Sequence, residues 1–164
     1  NLIPTEITPA QASLIYAMKK IKERHKNVKW YVLGEGPKRK ELEHLIASLG
    51  LQNDFILLGS AENPYPYYKQ ADIYVHATGF EGKSIAIQEA QTIGLPIIAS
   101  ESSREQITDG LDGILCRLEP EAVCEAVCKM VEDEELRKRY REASLKKNVV
   151  YEKDMELLTG LLSG

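Results

Sequence analysis

Apolar residues recur along this chain in two rhythms that alternate, one with helical spacing and one in short unbroken runs. Leu14, Ile15, Met18 and Ile21 form a helical stripe behind Thr8-Pro9, an N-cap followed by proline at the first helical position, so a helix is expected to about His25. Lys29 to Leu33 (K-W-Y-V-L) reads as a strand. It empties into the turn Gly34-Glu35-Gly36-Pro37 and a second helix, with Leu42, Leu45, Ile46 and Leu49 as its stripe and Gly50 as its stop. Phe55 to Leu58 is the next apolar run, ending at Gly59. Asn63-Pro64-Tyr65-Pro66 is a rigid turn before a short helix through Tyr68 to Ala71, and Ile73 to Ala77 is a further strand.

Ser84 stands in or near the first turn of a helix whose stripe is Ile85, Ala86, Ala90 and Ile93, closed by Gly94. Pro96 opens the strand Ile97-Ile98-Ala99. A short helix near Arg104 to Thr108, the double turn Asp109 to Gly113 and the strand Ile114 to Cys116 follow. The remainder is helical: about Pro120 to Glu132, about Glu134 to Lys147, and a last apolar segment, Met155 to Leu162.

Strands that alternate with helices, and that are apolar without interruption, predict a parallel sheet with helices on both faces. The expected fold is α/β: a Rossmann-like, doubly wound sheet in one domain covering residues 1–164. Ligands of such sheets sit beyond the carboxyl ends of the strands. Gly34 to Gly36, Gly59, His76 to Phe80 and Ser100 all fall there. Leu2 to Ile7, interrupted by Pro4, makes a poor strand or a ragged start.

Composition narrows the function. With 43% apolar and 28% charged residues the chain is an ordinary globular one, and its formal charge of −4 leaves no basic footprint for nucleic acid. No apolar run approaches a membrane span, and no signal-peptide pattern opens the sequence. The three cysteines lack paired metal spacing; Cys124 and Cys128 share one helical face with Val123, Val127 and Val131 and read as a reduced core. A cytoplasmic protein is expected.

The chemistry concentrates in Phe80 to Ser100 (F-E-G-K-S-I-A-I-Q-E-A-Q-T-I-G-L-P-I-I-A-S), where Glu81 and Glu89 are separated by seven residues. Glu81 lies in the turn before a helix and Glu89 about two turns into it. The helix start attracts phosphate through its unpaired N–H groups, and flanking carboxylates suit the hydroxyls of an attached sugar or ribose. A glycoside hydrolase would set two carboxylates across an open cleft. A dinucleotide-binding dehydrogenase would want a third glycine, which Gly34-Glu35-Gly36-Pro37 lacks. A receiver-type domain would need clustered acids that are not found. His76 reads as a half-buried polar residue with a backbone partner, and Tyr65, Tyr67 and Tyr68 as packing under a proline turn or as a nucleoside pocket lining.

This stretch resembles the E-x7-E segment of retaining glycosyltransferases of the GT-B fold, group 1 (family four), which commonly read E-G-F-G-x-x-x-x-E-A-x-x-x-G-x-P-V-I-A-S. Glu81, Gly82, Glu89, Ala90, Gly94, Pro96, Ile98, Ala99 and Ser100 fall in matching places, while Lys83-Ser84 replaces the usual Phe-Gly. Val32 to Pro37, Phe55 to Gly59, Ala71 to Val75, Thr108 to Leu115 and Glu134 to Arg137 are similar to further segments of the family's C-terminal half. The resemblance implies the donor-binding domain, without the N-terminal acceptor half. Its usual first strand, V-G-R-L with a following K-G, is not matched; residues 1–8 are either a degenerate strand or the sequence begins after the true one.

The implied reaction is transfer of a sugar from a nucleotide-diphosphate donor, with UDP the expected carrier, to an acceptor with retention. It would serve polysaccharide or glycolipid synthesis at the cytoplasmic membrane face, with no cofactor and no obligatory metal. By the same resemblance Glu81 is the catalytic-site carboxylate beside the donor sugar, and Glu89 binds the ribose. Gly34, Gly36, Gly82, Lys83, Ser84 and Ile85 complete the donor site, Lys83 supplying a cation that a Phe would not. The domain alone is expected to be inactive, since catalysis needs the acceptor positioned as well. The rival expectation is a non-catalytic nucleotide-sugar-binding or protein-interaction module. Self-association through either terminal segment is a further expectation.

Overall fold

The computed structural model describes residues 9–77 and 84–147. The expectations for Leu2 to Ile7, Thr8 and Met155 to Leu162, and those for Glu81, Gly82 and Lys83, lie outside the described residues.

Helix α1 (Pro9–Arg24) precedes β1 (Trp30–Leu33), α2 (Arg39–Ser48) and β2 (Phe55–Gly59); α3 (Tyr65–Gln70), β3 (Tyr74–His76), α4 (Ile85–Thr92) and β4 (Ile97–Ser100) follow. A 3-10 turn (Glu101–Ser103), β5 (Gly113–Cys116), α5 (Pro120–Glu132) and a helix over 134–147, here α6, complete the described chain. All the strand pairs are parallel. β1 pairs with β2, and β4 lies between β3 and β5 in a separate ladder. The α/β fold of parallel strands expected from the sequence is therefore present.

One cluster joins the two ladders. Ile15, Met18 and Ile21 of α1 are completely buried against Val123, Val127, Cys128 and Met130 of α5, with Trp30, Val32, Phe55, Val75, Ile98 and Ile114 beneath. Full burial of each such side chain stabilises by about 1.5–3 kcal/mol. On the other face Tyr68, Ile87, Ala90, Ile97, Ala99 and Ile107 form a second cluster. β4 is buried at every position, as a doubly covered strand should be. β1 and β2 differ: Trp30, Val32, Phe55 and Leu57 face the first cluster, but Tyr31 remains 55% and Leu58 38% exposed. Among the described residues the outer face of that pair carries no full cover, so an apolar run here does not mean burial on both sides.

The helix expected near Arg104 to Thr108 is not formed. The Ser103 carbonyl accepts from both Gln106 N–H (2.9 Å) and Ile107 N–H (3.0 Å), but Thr108 N–H donates to the Asp112 carboxylate at 2.8 Å. That side chain captures the backbone before a second helical turn closes, leaving only the 3-10 turn Glu101–Ser103 and a bend. Cys124 and Cys128 are buried on the core face of α5, with sulfurs 4.0 Å apart. Burial, with Cys124 beside it, pushes the Cys128 thiol up to about 12, and burial pushes Cys116 to about 11, so neither is a ready nucleophile.

Asp54 ties the end of α1 to β2, accepting from Lys22 Nζ at 3.0 Å and Lys29 Nζ at 3.4 Å. The Lys22 hydrogen bond, opposed by partial desolvation and reinforced by Lys29, holds its carboxyl below the ordinary 3.8. A carboxylate depressed in the folded state stabilises the fold above its unfolded pKa and loses that contribution as pH falls through the folded one. The melting temperature of Asp54→Asn is thus expected to lie below that of the parent at neutral pH, the gap closing as pH drops through about 4 and lower. A gap constant with pH would remove the ion pair from the account.

Candidate functional site

In parallel sheets the carboxyl ends of the strands carry the ligand-side connections, and two structures follow such ends here. The first is the turn after β1. Gly34 adopts φ +134°, outside the reach of most side chains, and its N–H donates to the Gly59 carbonyl at 2.8 Å across the ends of β1 and β2. The Glu35 carboxylate bonds Arg39 Nη1 at 2.5 Å and lies over Gly59, where a Cβ would come within 2.8 Å of Glu35 Oε1. Gly36 accepts from Arg39 N–H at 3.3 Å, starting α2. Arg39 also reaches Glu43 (2.8 Å) and the Leu57 carbonyl (3.0 Å), so the turn is cross-braced.

The second structure is the start of α4. Ser84 is the N-cap, its hydroxyl accepting from Ile87 N–H at 3.3 Å. Ser84 N–H, which the sequence places among the phosphate donors, donates instead to Gln106 Oε1 at 2.6 Å. The buried face of α4 is carried by Ile87, Ala90 and Gln91, so Ile85, expected in the apolar stripe of this helix, is instead 73% exposed. Its N–H and that of Ala86 are first-turn donors with no acceptor inside the helix. The helix dipole adds positive character at this end. Gly94, with φ +77°, closes α4.

Glu89 lies on α4, half-buried. Its charge reaches Tyr68, whose hydroxyl burial holds above the ordinary 10.0, with Glu89 adding to the shift. Tyr68 packs edge-on against Tyr65 (6.1 Å) and Tyr74 (5.5 Å), while Tyr67 is exposed. His76 is buried, its Nδ1 3.0 Å from the Tyr74 hydroxyl. The tyrosine cluster is thus largely packing. The cleft bordered by Arg24, Cys116, Glu125 and Glu132 is built from α1, β5 and α5, and Arg24 there is already paired with Glu125 and Glu132. No three His, Cys, Asp or Glu side chains group around a metal-sized space among the described residues.

Gly34 and Gly36 follow the carboxyl end of β1, while Ser84 and Ile85 start α4 and Glu89 lies along it, after β3. Sequence reasoning missed Gln106 entirely: nothing in its local pattern distinguishes it from a surface glutamine.

Parallel α/β domains take their ligands at the carboxyl ends of the strands, and in this chain a braced glycine turn and the start of α4 follow such ends. Residues 9–147 match the family described as glycosyl transferases group 1. An uncharacterized glycosyltransferase of Methanocaldococcus jannaschii is 31% identical over 160 residues, covering 77% of this chain and 39% of that protein. The N-acetylgalactosamine-N,N'-diacetylbacillosaminyl-diphospho-undecaprenol 4-alpha-N-acetylgalactosaminyltransferase of Campylobacter jejuni is 31% identical over 134 residues, covering 79% and 36%. In fold the chain is similar to the C-terminal domain of LpcC, a group 1 glycosyl transferase of Francisella tularensis (TM-score 0.74, 23% identity, 82% of this chain and 74% of that one). Anabaena HepE, solved with UDP-glucose, aligns with TM-score 0.80 at 21% identity over 97% of this chain and 47% of its own.

The chain belongs to the glycosyl transferases group 1 family, and its architecture is that of a GT-B C-terminal domain. It spans less than two-fifths of the length of those two relatives, 39% and 36%. No helix among the described residues is long and apolar enough to cross a membrane.

Proposed function

We propose that residues 1–164 are the nucleotide-sugar donor domain of a retaining hexosyltransferase whose acceptor domain lies elsewhere in the full protein. The observation that carries this reading is the start of α4, exposed at Ile85, with half-buried Glu89 about one turn along the same helix. Support also comes from HepE, solved with UDP-glucose, and from the Campylobacter relative, whose substrate is a diphospho-undecaprenol glycan.

In this reading the leaving diphosphate lies against the first-turn amides of α4, where preorganised N–H dipoles meet charge that develops as the glycosidic bond breaks. Lys83 supplies a cation at the same place, and Glu81 sits by the donor sugar. Glu89 accepts the two ribose hydroxyls. Gly34 and Gly36 let the base and diphosphate approach the backbone after β1, and Gly82 does so before α4. The product is a glycan or glycolipid of the cell surface, and the carrier nucleotide is UDP.

The test is calorimetric titration of the chain with UDP, ADP and GDP, with Glu89→Ala in parallel. Loss of a bidentate, charge-assisted contact at 1.5–3 kcal/mol per bond is expected to weaken UDP by about tenfold or more. The melting temperature should move little, because Glu89 is half-buried and lies outside both clusters. UDP binding that survives Glu89→Ala undiminished removes Glu89 from the site; no nucleotide binding at millimolar concentration would favour the interaction-module alternative.

A further inference from the structure

Gln106 lies between the 3-10 turn and β5 and is 4% exposed. Its side chain grips the backbone of Ser84 on both sides: Ser84 N–H donates to Oε1 at 2.6 Å, and Nε2 donates to the Ser84 carbonyl at 3.0 Å. That carbonyl also accepts the first helical bond of α4, from Gln88 N–H at 3.2 Å, and the Ser84 hydroxyl accepts from Ile87 N–H. The backbone N–H, the carbonyl and the hydroxyl oxygen of Ser84 are therefore all committed. A primary amide bonded to both groups of one residue fixes the orientation of the peptides on either side, a constraint that apolar packing of equal volume would not supply.

Gln106 is itself held in place. Its carbonyl accepts from Gln91 Nε2 of α4 at 3.1 Å and from Lys147 Nζ of α6 at 2.7 Å. The start of α4 is thereby indexed to α6 through one buried residue. Gln106 makes hydrogen bonds through its side-chain oxygen, side-chain nitrogen and carbonyl, although Gln91 Oε1 beside it is buried without a partner among the described residues. The peptide that joins Ser84 to Ile85 carries a first-turn N–H that no carbonyl of the helix accepts, with Ala86 N–H next to it.

We propose that Gln106 is a positioning residue that aims the Ile85 and Ala86 amides at the diphosphate of the donor. The proposal rests on the donor-domain reading above. It predicts a selective defect: without the two side-chain bonds the amide pair loses its aim, while recognition of the nucleoside through other residues is kept.

The experiment compares the parent chain with Gln106→Met, which matches the side chain in length and removes both bonds. UDP and uridine are titrated by NMR, and amide exchange is followed at Ser84 and Ile87. Exchange at Ser84 is expected to accelerate in the variant relative to the core of β4. UDP affinity should fall by about tenfold or more, the scale of one charge-assisted hydrogen bond, with uridine affinity unchanged. Gln106→Glu, which keeps an acceptor for Ser84 N–H and loses the donor, should lie between the two and serves if Gln106→Met does not fold. Equal losses of UDP and uridine, or unaltered exchange at Ser84, overturn the proposal. A parent chain that binds neither ligand overturns the donor reading instead, and with it the ligand-facing half of this one, while Ser84 exchange still decides the clamp.

Discussion

Lys147→Met is expected to destabilise the fold by about 3–5 kcal/mol, as removal of one partner from a buried ion pair does. Asp112 is fully buried in the double turn before β5, where Oδ1 accepts Thr108 N–H at 2.8 Å. Lys147 Nζ is paired with its Oδ2 and reaches the Gln106 carbonyl at 2.7 Å. Without the ammonium the fully buried carboxylate keeps one backbone donor and no counter-charge, and only the side from which Lys147, 28% exposed, approaches lies near solvent. Urea titration measures the loss, and the double variant Asp112→Asn/Lys147→Met should recover part of it because an amide needs no counter-charge. A single-variant loss below about 1 kcal/mol would class the pair with exposed ones.

Gly113→Ala is the second large effect, expected at about 3 kcal/mol, the upper end of the range for overpacking a tight interior. Gly113 pairs with Ile97 in the parallel ladder, and a Cβ on it would lie 2.5 Å from the Ile97 carbonyl oxygen and 3.0 Å from Ile107 Cγ2. The first neighbour is backbone of β4, which is packed at every position and cannot retreat. Gly110→Ala separates this steric cost from ordinary glycine strain: Gly110 has φ +80° but open space around it. That variant should lose only about 1–2 kcal/mol, the cost of left-handed backbone for a residue with a Cβ. Comparable losses in both would mean that β5 shifts to make room.

The elements with the plainest periodicity were the most legible. α1 and α5 carry their burial on the residues at helical spacing, Ile15, Met18 and Ile21 facing Val123 and Val127. Glycines at the ends of α2, β2 and α4 fall where the sequence puts them because positive φ, +72°, +85° and +77°, leaves few alternatives. The segment after β4 was not legible. Its course is set by the Asp112 side chain reaching back to Thr108, an interaction four residues long that no hydrophobic period records.

The candidate site divides in the same way. That Ser84 starts α4 and that Glu89 lies on it are legible from the helical pattern, which depends on near neighbours, whereas the capping bond of Ser84 emerges only in the structure. Gln106 is tied to Ser84 across 22 residues, so its role depends on the packing of α4 against the loop before β5. Tyr31 and Leu58 mark the opposite error. Their runs look fully interior, yet alternation within β1 and β2 places them on the side away from the first cluster.

The division of the strands into two ladders bears on how the molecule comes apart. Among the described residues, β1–β2 and β3–β4–β5 are hydrogen-bonded within themselves, and the cluster under α1 and α5 is what they share. Because both ladders rest on that one cluster, a change that loosens it is felt in both. The start of α4 and its Gln106 clamp belong with β3–β4–β5 and the glycine turn with β1–β2, so the cluster under α1 and α5 supports both parts of the candidate site.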